Sequence, residues 1–190
     1  MGINSDEGTD FVDFGINTDE HFNSFFEPFG IDNATFANLT KLYPNDPAHD
    51  IPASHPAPFD ETIGTQFKRA ATLFTDAVFV GPKRLSAQEW VKHTDQKLYS
   101  YRFDTIPHGI PDYFAVTHFQ EVAFVFHNVE GQGFPGDSPP YFGANPFQGE
   151  PESYFLLADD MSRRWVSFVA TGVPDYPGSK YHFRSMEELY

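Results

Sequence analysis

Phe114-Ala-Val-Thr-His118-Phe-Gln-Glu121-Val-Ala-Phe-Val-Phe126-His-Asn128 is the stretch from which the rest of the chain is read. A histidine stands at the entrance to the apolar run Val122–Phe126, with a carboxylate, Glu121, three residues after it. A histidine presented in this way can be oriented by a neighbour and can move a proton near neutral pH. Just upstream, Tyr99, Tyr101 and Phe103 alternate in Leu98-Tyr-Ser-Tyr-Arg-Phe103, the period-2 pattern of a strand. The loop Asp104–Tyr113, with Pro107, Gly109 and Pro111, then leads to His118. An α/β sheet carries its functional groups on loops that follow strands.

The start of the chain offers a partner. In Gly2-Ile-Asn-Ser-Asp-Glu7-Gly-Thr-Asp-Phe11, Gly2 and Ile3 read as the tail of a buried strand, and Glu7 comes just past its end. Gly8 permits a tight turn, and Thr9-Asp10 is expected to begin a helix. An acid followed in chain order by a histidine, both on loops at one sheet edge, fits the second and third members of a Ser-acid-His triad. In that chemistry the carboxylate fixes the histidine tautomer, and the histidine deprotonates a serine.

Helical patterns fill the interval. Residues 11–30 are acidic and rich in phenylalanine, with Phe22, Phe25, Phe26 and Phe29 near helical spacing before Pro28 and Gly30 interrupt. Asp32 opens a short helix through Phe36 and Leu39 that ends before Pro44. Asp46–Pro58, carrying Pro47, Pro52, Pro56 and Pro58, is expected to be an irregular surface loop. From Asp60 to Phe79 the residues Ile63, Phe67, Ala70, Ala71, Phe74 and Val78 share one helical face. Pro82 restarts a helix through Leu85, Trp90 and Val91. Gly131–Pro151, with five Gly and five Pro, is a second long loop. Ser153–Thr171 is the strongest helix, with Leu157, Met161, Trp165 and Phe168 aligned and Gly172 as its stop. One visible strand among several helices and long loops predicts one side of an α/β architecture whose remaining strands lie elsewhere.

The totals exclude several classes. The 190 residues hold 27 Asp and Glu against 12 Lys and Arg, a net charge of -15 that repels nucleic-acid backbones and anionic membrane surfaces. Aromatics make up 17% of the chain, far from the composition of acidic disorder. With no cysteine there are no disulfides, thiol nucleophiles or zinc-thiolate sites. No apolar run approaches the ~18 residues of a membrane-spanning helix. The histidines supply no His-x3-His pair and the acids no calcium loop, so no metal site is expected; His49, His55, His93 and His182 read as surface residues. Asn33-Ala-Thr35 and Asn38-Leu-Thr40 are glycosylation sequons and point mildly towards secretion. No charged-then-apolar leader opens the chain, so a secreted parent is expected to carry something upstream.

Several segments together resemble one family. Gly2–Phe11 resembles the acid motif of type-B carboxylesterases, the family that includes cholinesterases and fungal lipases, and Ala115–Phe126 resembles its histidine motif, with the glutamate three residues on. Tyr99–Phe103 is similar to the strand before that motif, while Phe74–Phe79 and Met161–Pro174 are similar to the family's late helices. The resemblance implies that Glu7 is the triad acid, His118 the general base and Glu121 a buried supporting carboxylate. It implies the C-terminal half of an α/β-hydrolase fold: an incomplete sheet with packed helices and long loops. It also implies a secreted parent that cleaves carboxylic esters through a serine acyl-enzyme, with no metal or organic cofactor.

The departures matter as much. A glycine usual shortly before the histidine is Phe114 or Ala115 here, the cysteine many relatives carry is absent, and Ser179–Tyr190 match poorly. No Gly-x-Ser-x-Gly and no glycine-rich oxyanion segment occurs in the 190 residues. Residues 1–190 are therefore expected to be a partial domain lacking its nucleophile-bearing half, inactive alone, with that N-terminal half and an ester substrate as its partners. A partial sheet leaves apolar faces and edges that favour association. The alternative is a non-catalytic, cholinesterase-like binding or adhesion protein.

Overall fold

The computed structural model of the protein describes residues 1–46, 59–134, 144–180 and 182–183. Most of the proline-rich loop expected at Asp46–Pro58, part of that at Gly131–Pro151, His49, His55 and much of Ser179–Tyr190 lie outside the described residues. The helices are α1 (Asp19–Phe26), α2 (Asn33–Leu42), α3 (Phe67–Phe74), α4 (Gly81–His93), α5 (Val122–Val125) and α6 (Glu152–Thr171). Two compact units divide the chain: Ser5–Pro82 with Asp112–His118, and Met1–Asn4 with Lys83–Pro111 and Phe119–Tyr190.

The unit containing Ser5–Pro82 is built on phenylalanine. In α1 the Thr18 hydroxyl accepts from the His21 N–H, a cap that stabilises the first turn by about 1 kcal/mol. One helical turn apart, Phe22 and Phe26 are both buried, each contributing roughly 1.5–3 kcal/mol. Arg69 is buried beside them, its guanidinium 3.9 Å from the Phe22 ring centroid and 2.8 Å from Asp19, while its Nε donates to the Tyr43 carbonyl. Buried beside an acid, an aromatic face and a carbonyl, that cation does not stand alone. Phe29, the fourth of the helically spaced rings, falls in a tight 3-10 turn ended by left-handed Gly30 and is exposed. In α2, Asp32 Oδ1 accepts from the N–H groups of Ala34 and Thr35, as its position before the apolar residues predicts.

The long helix expected from Asp60 starts seven residues later. Asp60 instead closes a turn, accepting from the N–H groups of Thr62 and Ile63. Gly64 then takes φ 120°, and a Cβ there would lie 2.8 Å from the Ile16 backbone, so the chain cannot pass this point as a helix. Helix α3 buries Phe67, Ala70, Ala71, Leu73 and Phe74. Beyond it the backbone widens into a π-helical turn, Thr75–Val80, that runs directly into α4. Because i→i+5 bonding takes in an extra residue per turn, the apolar stripe swings out of register and Val78 is exposed. Leu85 and Trp90 of α4 are exposed too.

In the other unit, residues 1–4 lie beside the segment expected to be a strand. The Tyr101 N–H donates to the Met1 carbonyl at 3.0 Å and the Phe103 N–H to the Ile3 carbonyl at 2.8 Å, and Asn4 and Phe103 form a parallel bridge. This is strand pairing at both expected places, but no longer strand is present among the described residues. Phe124 of α5 is fully buried, its ring 5.0 Å from Phe103 and 4.6 Å from Phe147. Helix α6 matches its sequence pattern nearly to the residue and ends on Gly172 at φ 76°, whose N–H returns to the Phe168 carbonyl. Its aligned Leu157, Met161, Trp165 and Phe168 line, with residues 99–105, a cavity of about 400 Å³.

Candidate active site

The two residues singled out, 111 positions apart in the sequence, meet. His118 Nδ1 lies 2.6 Å from Glu7 Oε2, with the glutamate side chain 9% and the histidine side chain 38% exposed. An ionised carboxylate only accepts, so Nδ1 carries the hydrogen and Nε2 is the basic nitrogen. This is the tautomer required for removing a proton from a hydroxyl.

Glu7 opens a short 3-10 turn, Glu7–Phe11, in place of the helix expected at Thr9. Hydrogen bonds fasten that turn to the histidine loop on either side of the pair. The Asp6 N–H donates to the Val116 carbonyl at 2.9 Å, and the Val116 N–H returns to Asp6 Oδ2 at 3.2 Å. The buried Thr9 hydroxyl lies 2.8 Å from both the Asp6 and Phe114 carbonyls. Gly8 is buried, its N–H donating to Thr75 Oγ1 at 2.8 Å; a Cβ at Gly8 would stand 2.6 Å from the Ala71 carbonyl oxygen. Only glycine fits between the acid and α3.

The histidine loop bends sharply to present its ring. Ala115, fully buried, has φ 47°, a left-handed conformation costing an L-residue roughly 1–2 kcal/mol. The resemblance leads one to expect a glycine at this position or at Phe114, and here the backbone takes the bend without the residue that adopts it freely. The imidazole packs against Phe11 and Phe79, at centroid distances of 5.8 and 5.6 Å. A second carboxyl, Asp10, on an exposed residue, is pushed above its ordinary pKa chiefly by partial desolvation; Thr117 and His118 oppose that shift and the Glu7 charge adds to it.

Sequence reasoning missed several of these groups. Asp6 and Thr9 stood inside the acid motif without an assigned role. Thr75 and Phe79 were visible only as part of a helix, and no local pattern announces that their side chains reach the acid turn and the imidazole.

Glu121, expected as a buried supporting carboxylate, is half-buried and accepts from Asn4 Nδ2 at 2.7 Å. Asn4 is 1% exposed, so the glutamate anchors the end of the residue 1–4 segment. Asn33 and Asn38 are exposed on α2, accessible for modification. His93 and His182 are exposed and bonded to Glu89 and Asp175. Among the described residues no three His, Asp or Glu side chains cluster as metal ligands, and no helix is long and apolar enough to cross a membrane.

With this geometry in place, comparison with known proteins gives a consistent result. The profile of the Carboxylesterase family matches residues 1–189. A fumonisin B1 esterase from Sphingopyxis macrogoltabida is 29% identical over 189 residues, covering 98% of this chain and 30% of that protein. A solved PNB esterase superposes with a TM-score of 0.58 at 20% identity, over 97% of this chain and 31% of that one, a likeness of fold. The chain thus spans about a third of the length of each. From its first residue to its last but one, it belongs to the carboxylesterase family, in its type-B branch.

Proposed function

We propose that this chain carries the acid and the general base of a serine carboxylic-ester hydrolase, a carboxylesterase or lipase. The carrying observation is the 2.6 Å hydrogen bond between Glu7 and His118, residues 111 apart in sequence. In this reading Nε2 of His118 takes the proton of a serine hydroxyl as its oxygen attacks the ester carbonyl. The imidazolium, steadied by ionised Glu7, then hands that proton to the departing alcohol. Water repeats the sequence on the acyl-enzyme, with the same histidine as base and then acid. Neither metal nor organic cofactor enters these steps.

The serine must come from outside these 190 residues, since no Gly-x-Ser-x-Gly occurs in them. By itself the chain then has a base with nothing to deprotonate and no donors for the oxyanion. Its partner in this reading is the nucleophile-bearing N-terminal part of the same domain, which also completes the sheet that residues 1–4 and 99–103 begin. Exposed sequons at Asn33 and Asn38 support a secreted glycoprotein as the parent.

A p-nitrophenyl ester assay tests this directly. The chain alone should show no turnover above background. Joined in frame to an upstream segment bearing the nucleophile elbow, it should hydrolyse the ester, with activity lost in His118→Ala. Robust turnover by the isolated chain that disappears in His118→Ala would overturn the reading.

A further inference from the structure

The π-helical turn Thr75–Val80 touches the surroundings of both members of the pair. At its start, the buried Thr75 hydroxyl accepts from the N–H of Gly8, the residue next to Glu7, at 2.8 Å. Four residues on, the Phe79 ring lies 5.6 Å from the His118 ring and 5.7 Å from Phe11, which flanks the imidazole in turn. The turn is itself held: Tyr43 Oη donates to Asp76 Oδ2 at 2.7 Å, and the Gly81 N–H closes an i→i+5 bond on the Asp76 carbonyl.

A regular α-helix continuing from α3 would not present these two side chains in this way. Residues four apart in an α-helix stack on one face, one turn above the other. With an extra residue per turn, the π geometry alters the angle between position 75 and position 79. One side chain can then meet the acid turn while the other meets the imidazole. π-helical turns are rare and less favourable than the α-helix they interrupt, and they recur at functional sites.

We propose that Thr75 and Phe79 are positioning residues for the Glu7–His118 pair, and that the π turn exists to place them. The proposal rests on the ester-hydrolase reading for its purpose but not for its geometry. Thr75 holds the backbone that carries the carboxylate, and Phe79 with Phe11 restricts rotation of the imidazole, so Nδ1 stays on Glu7 Oε2. Neither contacts reacting atoms.

The signature is the hydrogen-bonded Nδ1 proton of His118, observed by NMR on ¹⁵N-histidine-labelled chain of the full 190 residues. In wild type it should be resolved and slow to exchange with water. Thr75→Val, isosteric but unable to accept, should speed that exchange by about 2- to 10-fold, as expected for losing one buried hydrogen bond. Phe79→Ala should do so by a similar factor of about 2- to 10-fold through the lost ring contact. Thr75→Ser and Phe79→Leu should stay close to wild type, which a general loss of packing would not produce. If Thr75→Val fails to fold, the Phe79→Ala and Phe79→Leu pair decides. Unchanged exchange in Thr75→Val and Phe79→Ala would overturn the proposal while leaving the pair intact. Absence of the proton from wild type would overturn the pairing itself, and the ester-hydrolase reading with it.

Discussion

The surroundings of His118 and the faces of α6 use the same apolar chemistry in opposite ways. Around the histidine the phenylalanines serve a polar pair: Phe11 and Phe79 flank the imidazole, Phe11 stacks on Phe74, and glycine, threonine and backbone groups close the gaps. On α6 the apolar residues extend beyond the face that lines the cavity. Leu157 and Met161 line the cavity, while Val166 and Val169 point into solvent, Val169 80% exposed. Beside the histidine Phe11 is still 46% exposed, while α6 leaves Leu156, Val166 and Val169 more exposed again. The acid–histidine contact is thus made where the apolar surface around it is not fully covered.

That contrast can be broken most forcefully at the pair. In the enzyme joined to its nucleophile-bearing segment, Glu7→Gln should lower kcat for p-nitrophenyl esters by about 10³- to 10⁴-fold, because it favours the wrong histidine tautomer. KM should change little. An effect below tenfold would remove Glu7 from the triad.

Packing beside the pair should be the next most sensitive. Gly8→Ala introduces a Cβ 2.6 Å from the Ala71 carbonyl oxygen and 2.8 Å from the Thr75 nitrogen, both backbone atoms that cannot move aside cheaply. Urea denaturation should show a loss of about 1–3 kcal/mol, the usual cost of overpacking. Arg164→Met tests the corresponding polar anchor under α6, where the guanidinium bonds Asp160 at 2.7 Å and Asp175 at 3.0 Å. Two neighbouring carboxylates would lose their shared cation, but both reach solvent, so a loss of about 1–2 kcal/mol is expected.

A pH effect sharpens the comparison from another side. The Asp10 carboxyl stands on an exposed residue, yet partial desolvation beside its neighbours raises its folded pKa above the ordinary 3.8, so the folded state binds its proton somewhat more tightly than the unfolded chain does. Stability from this group is therefore present at low pH and is lost as pH rises from 3.8 through the raised folded value. Asp10→Asn should flatten that fall, and an unchanged stability–pH curve would show the carboxyl to be solvated. The smallest effect is expected at α6: Val169→Lys, at a fully solvated position, should shift the stability of the chain by less than about 0.5 kcal/mol. A large loss would mean that this face is covered in solution.

How much of this could be read beforehand depended on whether the cause was local. Asp32, Gly172 and the spacing of Leu157, Met161, Trp165 and Phe168 announced α2 and α6, because capping and helical periodicity act within a few residues. The helix expected from Asp60 failed at Gly64, where the backbone of Ile16 comes too close for a side chain, and no pattern near residue 64 records that contact. Val78 left its expected face for a similar reason, since the π turn that moves it is anchored through Asp76 by Tyr43. An incomplete sheet was expected from Ile3 and the alternating Tyr99, Tyr101 and Phe103; the described residues hold no strand, only one isolated parallel bridge between Asn4 and Phe103.

Sequence by itself determined the chemistry available: an acid and a histidine in family-like motifs, no thiol, and no nucleophile elbow in 190 residues. Side-chain identity settles those facts, and folding cannot change them. Only the tertiary structure decided that Glu7 reaches Nδ1 of His118, that Ala115 bends left-handed to let it, and that Thr75 and Phe79 stand behind the two. These are contacts between segments tens of residues apart. They depend on the path of the backbone between them, and no single stretch of sequence contains it.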